Sequence, residues 1–295
     1  MNKAEKLGTI ILFAYAVIGG LFPIFGKLGV SNMPALLYIG SSVLVSAGLV
    51  FIIDLWQRGW RLPTFTRKQL KLGLLNSVFN LMIPYCLYFI GAQYTSSING
   101  ALLLRSEILF TILLTPLFGE PTTKNKLLGA GGILIGSIVV LYQGGLNFNI
   151  GDILIFLAPL SFPIGNWYGK RIVGELPPST VLFMRSAAGG AGLLLISLVF
   201  EHQLYSSIPG FAWYYVLLNA IVIMVIGKLL WFHGLKLLDI SKAVSIVNME
   251  PLFTILFALA ILGETVTGQQ LIGIAIMLVG LYFTVRRKSV TLPPI

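Results

Sequence analysis

The residues with the most chemical potential in this sequence are charged side chains that lie among hydrocarbon ones. Within residues 101–110, ALLLRSEILF, Arg105 and Glu107 interrupt an apolar run, and Lys228 and Glu250 stand in similar surroundings. Such carboxylates can bind a cation or exchange a proton, and such cations can bind a carboxylate. A charge at the centre of a bilayer costs from about 3 to more than 10 kcal/mol, so these side chains are expected to face a protein interior or water.

The composition predicts the surroundings of these charges. The 295 residues are 57% hydrophobic and 10% charged, with a mean hydropathy of +0.91, which indicates a membrane protein. Apolar runs of about 20 residues, enough to cross about 30 Å of hydrocarbon, predict an all-α polytopic bundle of ten transmembrane helices. The predicted spans are Leu7–Leu28, Pro34–Trp56, Lys71–Gln93, Ser97–Phe118, Leu127–Tyr142, Gly151–Tyr168, Ser179–Phe200, Ala212–His233, Lys242–Leu262 and Gln270–Val285.

The formal net charge of +10 is explained by the membrane rather than by nucleic acid. With the N-terminus inside, most Lys and Arg residues fall in cytoplasmic connections and only Lys27 falls outside, which is the positive-inside bias. Lys3 and Lys6 precede an apolar run without a cleavage site, so this run is predicted to be an uncleaved first span. We therefore expect a plasma (inner) membrane protein with both termini in the cytoplasm, and no nucleic-acid partner.

The chain contains an internal duplication. Glu107–Leu113 and Glu250–Leu256 match at six of seven positions, and Phe-Pro-Ile occurs at both Phe22–Ile24 and Phe162–Ile164. Because each half holds five predicted spans, an odd number, the halves are predicted to enter the membrane from opposite sides as an inverted repeat. That geometry is typical of alternating access. The predicted units are a first repeat, a second repeat and a short cytoplasmic tail, over residues 1–145, 146–288 and 289–295.

The duplication pairs Glu107 with Glu250, midway along the fourth and ninth spans. Thr111 and Thr254 follow at i+4, on the same helix face as each carboxylate. We expect this face to line a central pocket in which the carboxylates bind substrate or carry protons. The alternative is that Glu107 and Glu250 are structural and neutralised by the cations in the spans.

The cations and aromatic residues near these carboxylates complete the predicted site. Arg105 lies roughly 200° around the helix from Glu107, so it should reach another span or a substrate carboxylate. Lys228 is expected in the cavity, with snorkelling to the interface or a structural ion pair as the alternative, whereas Arg185 is interpreted as a snorkelling side chain. The remaining predicted substrate-binding residues are the repeat partner of Arg105 and one aromatic residue in each of the third and eighth spans, namely Asn248, Tyr85 and Trp231.

Two prolines predict bends in the helices, and the lack of enzyme motifs in the sequence predicts no catalytic activity. Pro23 and Pro163 are repeat equivalents within helical runs and are predicted hinges. His202 and His233 are the only histidines, and no metal-binding or hydrolase motif is present, so neither a metal, a cofactor nor an enzyme is predicted. Without a nucleotide-binding motif, any transport should be secondary-active.

Ten spans, a five-plus-five duplication and Gly-Glu followed by a Gly-punctuated last span resemble the drug/metabolite transporter superfamily, in particular its EamA-type members. In this sequence the motif occurs as residues 118–120 with 127–129, and as residues 262–264 with 271–273. The resemblance implies an exporter or exchanger of amino acids or similar small metabolites. It also implies a site between the third, fourth, eighth and ninth spans with helices from the first and sixth. Pro251 departs from the repeat, because its counterpart is Ile108.

The expected partners are thus a small-molecule substrate and the lipid bilayer, for a monomer or homodimer. Proton coupling is one option for the energy source. The alternatives are a pocket whose ions pair with one another, suited to hydrophobic amines or drugs, and a membrane protein that transports nothing.

Overall fold

The computed structural model describes residues 3–118, 123–142, 149–173, 175–237, 246–247 and 249–285. Throughout these residues the protein is helical and contains no strand. Seven continuous helical stretches among the described residues, several of them made of two adjoining helices, are long and apolar enough to cross a membrane, and the shorter stretches Glu250–Leu262 and Gly268–Phe283 are also apolar. The protein is therefore a multi-pass membrane protein, as its composition predicts. The count of ten spans and the repeat boundaries stay predictions, and Asn248 and residues 289–295 lie outside the described residues.

Several passes are built from two helices joined by an irregular turn, and each pass is numbered here by the predicted span to which it corresponds. In chain order the α-helices are α1 (Lys3–Gly20), α2 (Phe22–Val30), α3 (Ala35–Gln57), α4 (Arg67–Ser77), α5 (Ile83–Ala92), α6 (Ser97–Leu103), α7 (Ser106–Leu114), α8 (Lys124–Leu141), α9 (Ile150–Leu157), α10 (Phe162–Val173), α11 (Pro178–Phe200), α12 (Ala212–Leu218), α13 (Lys228–Leu237), α14 (Glu250–Phe257) and α15 (Gly268–Val285).

The irregular turns fall at positions that the sequence repeat pairs. π-Helical segments join α4 to α5 at Val78–Met82 and α12 to α13 at Asn219–Gly227. The first pass breaks at Leu21 and the sixth tightens to a 3₁₀ turn at Ala158–Ser161, in each case directly before Phe-Pro. The fourth pass breaks at residues 104–105. Irregular turns within a helix commonly mark functional sites, because they redirect side chains and leave backbone groups unpaired.

Helix contacts between the two halves follow the sequence repeat. Each contact either joins two equivalent helices or has a counterpart in which equivalent helices of the two halves take each other's places. Contacts pair α3 with α11, α8 with α15, α1 with α13, and α9 with α5. Gly91 meets Gly151 between α5 and α9, and its repeat equivalent Gly234 meets Leu12 between α13 and α1. Glycines let helix backbones approach closely, which is the main way in which helices associate in lipid.

At one end of the bundle, carboxylates from one pass cap the first turn of another. Pro34 offers no capping side chain to α3, and the carboxylate of Glu201 instead accepts from the backbone N–H groups of Leu36 and Leu37 at 3.1 and 3.0 Å. Glu264 accepts in the same way from Ser97 and Ile98 at the start of α6, at 2.8 and 3.1 Å. These bonds satisfy amide groups that lack helical partners and place negative charge at a helix N-terminus.

The Lys27 end, as we call this end, also contains a buried polar cluster. The Lys27 ammonium donates to the carbonyls of Ala92 and Thr95 at 2.9 and 2.6 Å. Asp152, which is fully buried, accepts from the Thr95 hydroxyl and from the Asn99 amide. The third, fourth and sixth passes are therefore fastened together at this end.

The opposite end, the Arg58 end, is held by surface and near-surface polar contacts. Asp54 is fully buried and bonds Arg58, Ser179 and Thr180, which ties α3 to the start of α11. Lys68 forms an ion pair of 2.7 Å with Glu175, and hydrogen bonds from Lys68 and then Gln69 lower the pKa of that exposed carboxyl. Exposed ion pairs contribute little stability, so Asp54 is the stronger fastening of this end.

Candidate functional site

A cavity of about 530 Å³ lies in the bundle where the irregular turns meet. Gly19 and Phe22 line it beside the break of the first pass, and Ala158 and Phe162 line it beside the tightened turn of the sixth. Cavities of this size hold small molecules. The charged side chains on its wall are Arg105, Glu107, Arg185, Lys228 and Glu250.

Arg105 forms an ion pair across the cavity wall. Its Nη2 lies 2.7 Å from Oε2 of Glu250, in a different pass, and the two side chains are 23% and 14% exposed. The prediction that Arg105 points to another span rather than to Glu107 is confirmed. Because this pair neutralises one cation and one carboxylate, neither has its full charge available for a ligand.

The other three charges have no such partner. Among the described residues, the side chains of Glu107, Arg185 and Lys228 form no hydrogen bond or ion pair, and Nε of Arg185 is buried and unsatisfied. Glu107 is exposed to the cavity. Polar groups that lack protein partners in a site are normally satisfied by water or by a ligand.

Arg185 differs from the sequence-based interpretation. Snorkelling to the cytoplasmic interface was expected, but the side chain lines the cavity beside Lys228. Arg185 lies one to two turns into α11, a depth from which an arginine can reach either region, and helix packing decides between them. Its backbone carbonyl accepts a bond from Ser77 of α4, so this turn of α11 is held against the third pass.

The threonines predicted for the pocket lie away from its wall. Thr254 is buried and donates to the carbonyl of Gly20 at 3.0 Å, so it fastens α14 to the first pass. Thr111 is likewise absent from the cavity lining. One helical turn is about 5.4 Å long, so a residue at i+4 shares the face of its glutamate but lies deeper along the helix. Asn248 falls outside the described residues.

Aromatic residues close the cavity on the side of the Lys27 end. Phe22 stacks on Tyr88 with ring centroids 5.1 Å apart, and Phe89 contacts Tyr85 and Tyr38 at 5.8 and 5.7 Å. Tyr88, Phe89 and Tyr38 are buried, so within the described part of the chain this layer is closely packed on that side. Tyr85 lines the cavity, as does Trp231, which packs on Tyr15 at 5.4 Å.

Two asparagine side chains that were not among the predicted site residues line the cavity toward the Arg58 end. Asn80 donates to Asn166 at 2.8 Å, joining the third and sixth passes, and Asn166 is exposed. Asn80 follows Asn76 by four residues, so their shared helix face was a usable signal. Asn166 lines the cavity and is exposed, so this part of the wall is less covered by neighbouring side chains than the aromatic side.

Comparison with known proteins agrees with this architecture. The EamA-like transporter family model matches residues 6–142 and again residues 149–286. The chain belongs to the EamA-like transporter family. It is therefore a membrane transporter, and the resemblance inferred from its repeated motifs is confirmed.

Relatives of this EamA-like transporter cover most of its length. The Uncharacterized transporter YyaM of Bacillus subtilis (strain 168) is 28% identical over 244 residues, which cover 80% of this chain and 79% of that protein. The Uncharacterized inner membrane transporter YedA of Escherichia coli (strain K12) is 28% identical over 265 residues, covering 87% and 83%. Neither name states a substrate.

Solved structures share the fold of this EamA-like transporter, among them one crystal structure. The match has a TM-score of 0.65 at 19% sequence identity and covers 94% of this chain and 97% of the other. At this identity the likeness concerns the fold alone. The helical arrangement is thus one that a solved protein also adopts over nearly its whole length.

The predicted hinges lie at the irregular turns of this EamA-like transporter. Pro23 is buried at the start of α2, directly after the break at Leu21. Pro163 is buried near the start of α10, directly after the 3₁₀ turn Ala158–Ser161. A proline removes a backbone hydrogen bond and weakens the helix locally, so both positions suit a bend.

Proposed function

We propose that the protein is a secondary-active exporter or exchanger of amino acids or similar small metabolites. The observation that carries the proposal is the central cavity, in which Arg185 and Lys228 supply free positive charge and Glu107 supplies free negative charge. An amino acid presents a carboxylate and an ammonium, and this wall offers a partner for each. No enzymatic activity is proposed.

The proposed mechanism is alternating access between two inverted five-helix repeats. Two observations support it: the helix contacts exchange between the halves, and the cavity wall is less covered toward the Arg58 end than toward the Lys27 end, where aromatic rings pack closely. A repeat related by a two-fold axis in the membrane plane can adopt the reverse arrangement by rocking its halves. Bends at Pro23 and Pro163 would accompany the change.

The substrate-binding residues of the proposal are those on the cavity wall, Glu107, Lys228, Arg185, Tyr85 and Trp231. Arg105 and Glu250 join the wall as an ion pair. Proton coupling through Glu107 is part of the proposal, because a carboxylate exposed to the cavity can take up and release a proton during the cycle. The proposed location is the inner membrane with both termini in the cytoplasm.

Proteoliposomes containing the purified chain test this function. Labelled amino acids should move without ATP, and imposing a pH gradient should change the rate if Glu107 carries protons. Transport that required added ATP would contradict secondary-active transport. Absence of flux for any amino acid would contradict the substrate class.

A second candidate follows from the Arg105–Glu250 pair. If the remaining ions also paired during the cycle, the pocket would become mostly apolar and suited to hydrophobic amines or drugs. Competition separates the two candidates. If the cavity selects amino acids, a hydrophobic amine that lacks a carboxylate should inhibit amino-acid flux much more weakly than a second amino acid, because Arg185 and Lys228 oppose its positive charge. If the cavity selects amines or drugs, the amine should be the stronger inhibitor.

A further inference from the structure

The free charges of the cavity are unequal in number. After Arg105 is paired with Glu250, the cavity charges that have no partner among the described residues are two cations, Arg185 and Lys228, and one carboxylate, Glu107. A neutral amino acid brings one carboxylate and one ammonium. It would leave one of the two cations without an anionic partner.

The two cations line the same cavity, and the helices that carry them pack into one hydrophobic cluster. The cluster contains Leu182, three residues before Arg185, and Leu229, one residue after Lys228, together with residues of α3. Arg185 also has a buried Nε without a partner among the described residues. This cationic wall, Arg185 with Lys228, thus has donors in excess of the acceptors around it.

We propose that the cavity selects amino acids that carry a second acid group, that is, molecules with two carboxylates and one ammonium such as aspartate. This inference rests on the proposed function and specifies its substrate class. The two carboxylates would bind Arg185 and Lys228, and the ammonium would bind Glu107. A planar guanidinium binds a carboxylate through two parallel hydrogen bonds, which makes Arg185 the stronger of the two anchors.

Aspartate and asparagine form a matched pair of probes, since they have nearly the same shape and differ in the second acid group. The purified full-length chain is reconstituted in liposomes loaded with unlabelled aspartate or asparagine, and counterflow of the same labelled compound is measured. Counterflow needs no knowledge of direction or coupling ion. At low concentration we expect aspartate to exchange on the order of 10- to 100-fold faster than asparagine. This ratio corresponds to the free energy of one charge-assisted hydrogen bond.

Substitutions assign the preference to the cationic wall. Arg185→Gln and Lys228→Met should each reduce the aspartate-to-asparagine ratio by about tenfold, chiefly by slowing aspartate. Lys228→Arg conserves the charge and should retain the preference. The control is Arg61→Gln, because Arg61 is exposed in the connection after α3 and outside the cavity lining. Monodisperse elution from a sizing column identifies variants that remain folded.

The outcomes distinguish the inference from the function on which it rests. Equal exchange of aspartate and asparagine would overturn the inference and leave amino-acid transport intact. A preference for aspartate that survives both Arg185→Gln and Lys228→Met would also overturn it, since the selecting charges would then lie elsewhere. If no amino acid exchanged, the proposed function itself would fail.

Discussion

At the scale of single residues, the Arg105–Glu250 pair determines which charges remain for a ligand. The pair joins the fourth pass to the ninth and is 2.7 Å long. Both side chains are mostly shielded from solvent, so removing one partner leaves the other charge poorly compensated. Breaking a fully buried pair in this way costs about 3–5 kcal/mol, and the contact of this pair with the cavity should reduce that cost.

Arg105→Gln and Glu250→Gln should therefore each lower the thermal stability of the protein, while the double variant should recover part of the loss. The physical reason is that the double variant leaves no uncompensated charge. Tryptophan fluorescence during heating in detergent gives the Tm of all three variants. If the losses of the single variants simply added in the double variant, the two side chains would not be coupled.

Glu107→Gln should slow amino-acid flux about tenfold and flatten its dependence on pH, because the amide neither binds an ammonium as strongly nor exchanges a proton. Initial rates in proteoliposomes across a pH series measure both effects. The matched control is Glu175→Gln, the same substitution at an exposed carboxylate that bonds Lys68 at the surface. Unchanged, still pH-dependent flux in Glu107→Gln would make this carboxylate structural.

The sequence predicts on which face of its helix a side chain lies, but it does not predict which residue of another helix that side chain contacts. The angle between Arg105 and Glu107 predicts that they face different neighbours, and the structure agrees. It cannot name Glu250 as the partner, because contact between two passes depends on how they pack. Arg185 shows the same limit, since its depth in α11 fits either the interface or the cavity.

At the scale of helices, close packing at glycines positions the carboxylates. Gly19 of α1 faces Glu250, and a methyl group at that position would lie 2.6 Å from Oε1. Gly20 similarly faces Phe253 and accepts the bond from Thr254. The first pass therefore fixes the orientation of α14, and through it the side chain that holds Arg105.

Gly19→Ala should displace Glu250 and weaken its bond to Arg105, lowering flux and costing on the order of 1–3 kcal/mol of stability, as overpacking does. Flux in proteoliposomes and Tm in detergent measure the two effects. Gly48→Ala is the control, because that glycine of α3 has no atom within 4 Å of the added methyl group. Equal behaviour of the two variants would exclude Gly19 as a positioning residue.

Element positions were largely predictable, whereas their irregularities were not. The length of each apolar run predicts a pass, but it does not predict that a pass contains a π-helical segment such as Asn219–Gly227. Prolines gave a partial signal, since Pro23 and Pro163 each follow an irregular turn. Residues 104–105 break the fourth pass without a proline or glycine at the break, so only packing explains this turn.

At the scale of the whole molecule, the two ends of the bundle differ in how firmly they are closed. The Lys27 end has partly buried carboxylate caps, the Asp152 cluster and the aromatic layer. Toward the Arg58 end, Asn166 on the cavity wall is exposed and no aromatic layer covers it among the described residues. With the predicted orientation, the described arrangement faces the cytoplasm.

Single cysteines test that orientation. In a Cys86→Ala background, Ser206→Cys should react with an impermeant reagent added to intact cells, and Thr64→Cys should react only after permeabilisation. Both positions are exposed, Ser206 in the connection after α11 and Thr64 in the connection after α3. The opposite labelling pattern would place the N-terminus outside and invert the proposed direction of the cavity.

The Glu264 cap has a mechanical consequence. By accepting from Ser97 and Ile98, it pins the start of α6 to the end of the ninth pass, so these two charge-bearing passes share a pivot at one membrane surface. Arg105 lies about 12 Å along the helix from that pivot at about 1.5 Å per residue. A tilt of about 10° around the pivot would shift Arg105 sideways by about 2 Å, enough to break a hydrogen bond. A small rotation about the Glu264 cap can therefore break the Arg105–Glu250 pair, which lies deeper in the bundle.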